Sequence, residues 1–193
     1  MTMEKQINKM CRNAYFNLRN SSKLRKILDM ETIKTAVNAL VTPHLDYLNG
    51  SLYGTACRLK NKLQIAQNLA VRLIERLKKR DCVRHSRKQL HWLPITARIQ
   101  FKLMTTTWKA INNQAPQYIQ EFVPIKSQQE RNMRSNRKVL LAEPAPCNKN
   151  SFEDRAFSYA APKLWNSLSE KPRTAQTLES FKKNLKTHLL QNS

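Results

Sequence analysis

A chain of 193 residues with 35 Lys and Arg against 13 Asp and Glu carries a formal charge of +22 and has a pI near 10.3. Self-repulsion of that size opposes compaction and is relieved when a polyanion neutralises it, so nucleic acid is the first expected partner and an anionic membrane surface the second. Neither a bilayer span nor a secretory leader is expected, since no run of about 18 apolar residues occurs and the N-terminal residues lack an apolar signal core.

The remaining bulk features are narrower. Cys11, Cys57, Cys82 and Cys147 lie far apart, which suggests a reduced protein in the nucleus or cytoplasm and not a disulfide framework. With 2 glycines, the composition leans towards helices with few hairpin turns. The length allows one domain or two small ones.

In chain order, residues 4–20 place Ile7, Met10, Cys11, Ala14, Tyr15 and Leu18 on one stripe at helical spacing. Ser21 and Ser22 are expected to open a short separate helical piece, KLRKIL. Asp29 suits the N-cap of a helix holding Ile33, Val37, Leu40 and Val41. Pro43 cannot sit in an undisturbed helix interior, so Thr42 is expected to cap a new segment with Pro43 at its first position. That segment runs through Leu45 and Leu48 and stops near Gly54.

A longer helix is expected from about Cys57 to Lys78, with Leu59, Leu63, Ala66, Ala70, Leu73 and Leu77 on its apolar stripe. After a break at Asp81 a short helix leads to Trp92. Pro94 then opens a helix through Ile95, Ile99, Leu103, Thr106 and Ala110 to about Asn112. Ala115-Pro116 punctuates, and a short helical turn covers 117–122. From Pro124 to Asn150 periodicity is lost, and the run Val139-Leu140-Leu141 allows at most one short strand. Helical spacing returns with Phe152, Ala156, Tyr159, Ala160 and Leu164. A last helix starts near Thr177 and carries Phe181, Leu185 and Leu189.

Three segments carry a resemblance. They are HLDYLNGSLYG (His44 to Gly54), LHWLPITARIQFKL (Leu90 to Leu103) and the stretch from Ser151 to Leu190, SFEDRAFSYAAPKLWNSLSEKPRTAQTLESFKKNLKTHLL. Together they resemble the region after the polymerase palm in LINE-type, jockey-like non-LTR retrotransposon reverse transcriptases, and the resemblance extends from about Ile7 to the end. It implies a thumb followed by a further helical region, a grip on the template–primer backbone, and an architectural role for His91-Trp92-Leu93-Pro94. Arg87 stands where the family usually has an aliphatic residue, and Gln89 where it often has an acid. The family's palm, with its paired aspartate, is expected to lie outside this polypeptide.

Polymerase chemistry needs carboxylates gathered around divalent metal ions. No two aspartates are adjacent here, and the neighbouring acids Glu153-Asp154 stand at an expected helix start, where they favour the dipole. The chain is therefore expected to be non-catalytic. Cys82, His85 and His91 mimic metal spacing, but a structural zinc site needs four ligands and no second pair lies nearby. No metal, cofactor or small-molecule substrate is expected, nor a Cys–His nucleophile, since no orienting acid is identifiable.

Basic density carries the functional expectation. Arg76, Lys78, Lys79, Arg80, Arg84, Arg87 and Lys88 face Asp81 alone within residues 76–91. Arg76, Lys79, Arg80, Arg84, Arg87 and Lys88 are the candidate phosphate contacts. Lys126, Arg131, Arg134, Arg137 and Lys138 form a second basic set in the connector, with Arg131, Arg134, Arg137 and Lys138 as candidates there. Surface solvation and a solubilising loop are the plain alternatives. Trp108, Phe157, Tyr159, Trp165 and Phe181 fit core packing better than base stacking.

The expected architecture is all-α: a thumb-like helical bundle over 1–123, an irregular basic connector over 124–150 and a small helical C-terminal unit over 151–193. The expected function is non-specific binding of RNA or an RNA–DNA hybrid. The alternatives are a structural protein docking on a palm-containing reverse transcriptase partner, or an RNA-directed DNA polymerase label held by inheritance alone.

Overall fold

The computed structural model describes residues 3–123, 140–143 and 156–192. The fold is all-α. Its helices are α1 (Glu4–Leu24), α2 (Met30–Leu40), α3 (Thr42–Asp46), α4 (Cys57–Glu75), α5 (Val83–Gln89), α6 (Ile95–Ile111), α7 (Gln117–Gln120), α8 (Phe157–Ser167), α9 (Glu170–Arg173) and α10 (Leu178–Gln191), with a 3-10 turn at Asn49–Leu52. Two compact units are present, Met1–Arg98 and Ile99–Asn192. The boundary falls inside α6, whereas periodicity places the end of the first bundle at residue 123.

In the first unit α1 and α4 run in parallel. Glu4 receives Arg58 at 3.1 Å and Lys62 at 3.4 Å, Asn8 receives Lys62 at 2.9 Å, and Arg25 reaches the α4 carbonyls of Leu73 and Ile74, each at 2.9 Å. Ile7, Met10, Ala14 and Leu18 of α1 are buried, together with Ile33 and Val37 of α2 and Leu63, Ala66, Ala70, Val71 and Ile74 of α4. Asp29 caps α2, its Oδ2 accepting from the amides of Glu31 at 3.2 Å and Thr32 at 3.4 Å. Those are donors a helix start leaves open.

Four local expectations need correction. Ser21 does not start a new helix: it is buried within α1, which runs unbroken to Leu24. Its small side chain fits a packed face where the sequence suggests a cap. Thr42 is the first residue of α3, and Val41 holds the cap position. The segment after Pro43 ends at Asp46, and Leu48 adopts a left-handed conformation with φ 49°. Helix α4 stops at Glu75 because Arg76 turns left-handed (φ 55°), with the Leu77 amide bonding back to the Arg72 carbonyl at 3.1 Å. Val71 and Ile74 take the buried positions there, not Leu73 and Leu77.

The start of α6 is held by side-chain amides of α4. Gln67, 0% exposed, donates from Nε2 to the Leu93 carbonyl at 2.8 Å. Gln64 Oε1 accepts from the Ile95 amide at 3.0 Å, while its Nε2 donates to Gln67 Oε1 and Asn68 Oδ1, both at 2.9 Å. Trp92 and Leu93 are buried beside this clamp. Asp46, from the first of the three family-like segments, receives Arg98 of the second at 2.9 Å and Asn49 at 3.4 Å. The two segments thus meet through an ion pair that their separation in sequence conceals.

In the second unit Phe181 of α10 contacts two tryptophans, Trp108 of α6 and Trp165 of α8, each with ring centroids 5.8 Å away. Trp108 also donates from Nε1 to the Ala175 carbonyl at 3.3 Å. This aromatic cluster draws most of α6 into the unit that holds the C-terminal helices, which explains the position of the boundary. Leu141, 1% exposed, is anchored there as well. The Asn166 amide pairs with its backbone N–H and C=O, each at 3.0 Å, standing in for a strand partner. Thr177 caps α10 by accepting from the Ser180 amide at 3.2 Å, and Phe181, Leu185 and Leu189 are buried as their spacing requires.

Replacing Gln67 by Ala leaves the buried Leu93 carbonyl without its donor. Urea unfolding followed by circular dichroism should then show a loss of about 1–3 kcal/mol. Gln67→Met, which keeps the volume, should lose nearly as much if the hydrogen bond and not the packing dominates.

Candidate nucleic-acid interface

The basic window begins where α4 ends. A helix C-terminus concentrates partial negative charge and open carbonyls, and cations there are favourable. Arg25 meets that need: Nε donates to Leu73 and Nη2 to Ile74, while Nη1 donates to Leu28 at 3.1 Å. Arg76 in turn donates from Nη2 to the Arg25 carbonyl at 3.4 Å. Between α4 and α5 the chain turns tightly, with the Asp81 carboxylate accepting from the Lys78 amide at 2.7 Å and Arg72 reaching the Asp81 carbonyl at 3.4 Å. The lone acid of the window is thereby engaged by backbone.

At the other end, α5 closes on His91 in the left-handed region (φ 54°). The His91 amide bonds to the Lys88 carbonyl at 2.9 Å and the Trp92 amide to the Arg87 carbonyl at 3.0 Å. This double bond pattern is a Schellman ending, which usually employs glycine. His91 is thus architectural through its backbone.

The structure brings Arg76, Lys79, Arg80, Arg84, Arg87 and Lys88 into one short stretch of turn and helix. Arg76, Lys79, Arg80, Arg84 and Lys88 are exposed and Arg87 is half-buried. Among the described residues none of the six forms an ion pair; the pairs present are Lys34–Glu31, Arg58–Glu4, Lys62–Glu4 and Arg98–Asp46. Arg84 and Lys88 share a helix face at i, i+4, and Arg84 and Arg87 are neighbours at i, i+3. Burial, and then the neighbouring Arg84 charge, push the Arg87 guanidinium below its ordinary value. Its Nε is buried without a partner. That is the environment an aliphatic side chain would suit. Arg131, Arg134, Arg137 and Lys138, like Lys126, lie outside the described residues.

Sequence reasoning missed Arg25 and Arg72. Arg25 binds the Leu73 and Ile74 carbonyls at the end of α4 and Arg72 the Asp81 carbonyl in the turn that follows, and no local spacing announces a contact between residues 25 and 74. The buried Nε of Arg72, like that of Arg87, has no hydrogen-bond partner.

Other candidate chemistry falls apart in space or lies elsewhere. Cys82 is exposed at the cap position of α5 and Cys57 is exposed at the start of α4. Among the described residues no three His, Cys, Asp or Glu side chains gather as a metal site. Cys11 is buried on a shallow depression of about 400 Å³ lined also by Asn8, Arg12, Tyr15 and Lys62, and burial pushes its thiol up despite the opposing Lys62 charge. Glu153-Asp154 and Cys147 lie outside the described residues. Trp108, Trp165 and Phe181 are core, while Phe157 and Tyr159 are half-buried. No described helix is long and apolar enough to cross a membrane.

No family model, no curated protein and no solved structure matches the chain.

Arg87→Leu should hold or raise stability by about 1 kcal/mol, because a half-buried guanidinium whose Nε has no partner gives way to apolar packing. Chemical unfolding of the two proteins side by side measures this. A loss greater than the experimental error would mean that the guanidinium has a structural partner.

Proposed function

We propose that this chain is a non-catalytic, retroelement-derived, thumb-like element that binds the backbone of RNA or an RNA–DNA hybrid without base specificity. Arg76, Lys79, Arg80, Arg84, Arg87 and Lys88 make the phosphate contacts, and Arg131, Arg134, Arg137 and Lys138 supply a second set. The protein works in the nucleus or cytoplasm. The observation that carries this reading is the unpaired cluster over residues 76–88, whose one acid is occupied by the Lys78 amide. Seven cations against one carboxylate on a short turn and helix repel one another, and a phosphate backbone relieves that repulsion. The resemblance of the three segments to the post-palm region of jockey-like reverse transcriptases supports the same partner.

A second reading, docking on a palm-containing partner, draws on the exposed Phe16 of α1 and the exposed Ile65 and Leu69 of α4. Binding to such a partner would persist at high salt, where backbone binding to nucleic acid fails.

Binding to hybrid duplex should weaken by roughly 0.9 log units per log unit of salt for each phosphate neutralised on a duplex. Replacing Arg80, Arg84 and Lys88 with Ala should weaken binding alike across sequences and flatten the slope by about one unit per contact. The helical spectrum should barely change, since all three side chains are exposed. Wild-type affinity and slope in the triple variant would make this surface merely solvated. Primer extension on a poly(rA) template should give no product; chelator-sensitive incorporation that tracks the protein would overturn the non-catalytic assignment.

A further inference from the structure

The outward face of α1 carries an ordered stripe that packing does not explain. Lys5, Lys9, Arg12, Phe16, Arg19 and Lys23 are all exposed, and they follow one another at steps of four and three residues. That repeat keeps side chains in line along one face of a helix, and here it runs for about 27 Å at 1.5 Å per residue. The opposite face, with Ile7, Met10, Ala14 and Leu18, is the one buried in the bundle. Every Lys and Arg of α1 falls on the stripe, whereas the polar positions off it are neutral at Gln6, Asn8, Asn13, Asn17 and Asn20.

Among the described residues none of these cations forms an ion pair, and Glu4, the acid of α1, is turned to Arg58 and Lys62 of α4. Phe16 stands in the middle of the line, 65% exposed. The charges call for an anionic partner and rule out a second copy of the same face, whose cations would oppose these. Phe16 calls for an apolar group opposite it. A nucleic-acid strand offers bases, but base-stacking grooves present several aromatics in succession, and here a single ring stands among cations. An anionic bilayer rewards a broad apolar face, which one ring does not supply. A helix with acids at the same spacing meets both demands. Two helices crossing at about 20° stay in contact along such a line, and the methylene stems of lysine and arginine pack against the partner while their charged ends meet its carboxylates.

We propose that the outward face of α1 docks an acidic helix of a partner protein. Carboxylates at three- and four-residue spacing meet Lys5, Lys9, Arg12, Arg19 and Lys23, and an apolar side chain rests on Phe16. The proposal goes beyond the backbone-binding reading and does not rest on it, since it uses none of the cations at 76–88. The aligned cations supply salt-dependent affinity, and Phe16 supplies the preference for an ordered helix over a diffuse polyanion.

The test uses fluorescein-labelled peptides of about 20 residues, long enough to span the stripe as a helix, and follows their binding to the full chain by anisotropy at two salt concentrations. One peptide carries Glu at three- and four-residue steps with a central Leu. A second replaces that Leu by Gln, and a third scrambles the Glu spacing at the same net charge. Wild type should bind the first about tenfold more tightly than either of the others, a factor within reach of partly burying one aromatic ring. Phe16→Gln should abolish the preference for Leu over Gln and leave the salt slope unchanged. Lys9→Gln, Arg12→Gln and Arg19→Gln together should weaken the first peptide by about tenfold or more and flatten its slope. Lys182→Gln, Lys183→Gln and Lys186→Gln on α10 remove the same charge elsewhere and should not. All of these side chains are exposed, and circular dichroism checks that each variant is folded. Equal binding of the three peptides, or equal losses in the two triple variants, would overturn the proposal, because net charge alone would then account for binding. Binding of poly(U) that needs Arg12, Phe16 and Arg19, while peptide binding does not, would assign the stripe to nucleic acid instead. The alanine variant at Arg80, Arg84 and Lys88 should bind the first peptide as wild type does, so the backbone reading can fail without touching this result; loss of the peptide there would place its site on the 76–88 edge and sink the proposal.

Discussion

The basic edge depends on two glutamines of α4, Gln67 buried and Gln64 half-buried. Gln67 and Gln64 of α4 clasp the Leu93 carbonyl and the Ile95 amide on either side of Pro94. A buried peptide group without a partner is costly, and the first turn of any helix leaves amides open, so the clasp satisfies two groups that the core would otherwise penalise. It also decides where the chain re-enters the helical bundle after α5. With Glu75 at one end and Leu93 at the other, residues 76–92 must form a short excursion anchored on the same helix at both ends. The cations of that excursion are consequently displayed together and not strung along an extended loop.

Glycine scarcity makes the excursion unusual. Both of its turns use left-handed residues that are not glycine, Arg76 at φ 55° and His91 at φ 54°. Each such residue costs roughly 1–2 kcal/mol relative to a right-handed one. Stability lost there is offset by satisfied carbonyls at the ends of α4 and α5 and, at α4, by the guanidinium of Arg25. An arginine in the left-handed position, not a glycine, adds a cation where the chain reverses. Packing and charge display thus compete at the same residue.

Much of the fold is legible in the sequence, and the failures have physical causes. Periodicity locates the helices because burial repeats every three or four residues, and Asp29 and Thr177 serve as caps because their short oxygens reach open amides. Ser21 misleads because a small hydroxyl residue suits a cap and also a close helix contact. Leu73 misleads because its neighbour Ile74 takes the buried position, and Leu77 because α4 ends at Glu75 before its stripe is complete. The boundary at Arg98 is invisible to local pattern, since it is set by Phe181 meeting Trp108 across distant sequence. For the site, composition reveals the exposed cations but not Arg25, whose role exists only once α1 and α4 are side by side, nor Arg72, which reaches the Asp81 carbonyl only once the chain turns after α4. Arg87 shows the converse: its charge reads as functional, and its half-buried position shows that packing also acts on it.

The acids complete the argument about charge. Glu4 ties α1 to α4, Asp29 caps α2, Asp46 joins two distant segments, Asp81 closes the turn before α5, and Glu143 meets the Asn166 amide. Each of these carboxylates is committed to holding the chain in its fold. The 13 Asp and Glu cannot balance the 35 Lys and Arg, and the helical surface carries the difference. A fold whose anions are structural and whose cations are in excess is compact at a cost in self-repulsion, and that cost falls when the excess meets an external polyanion.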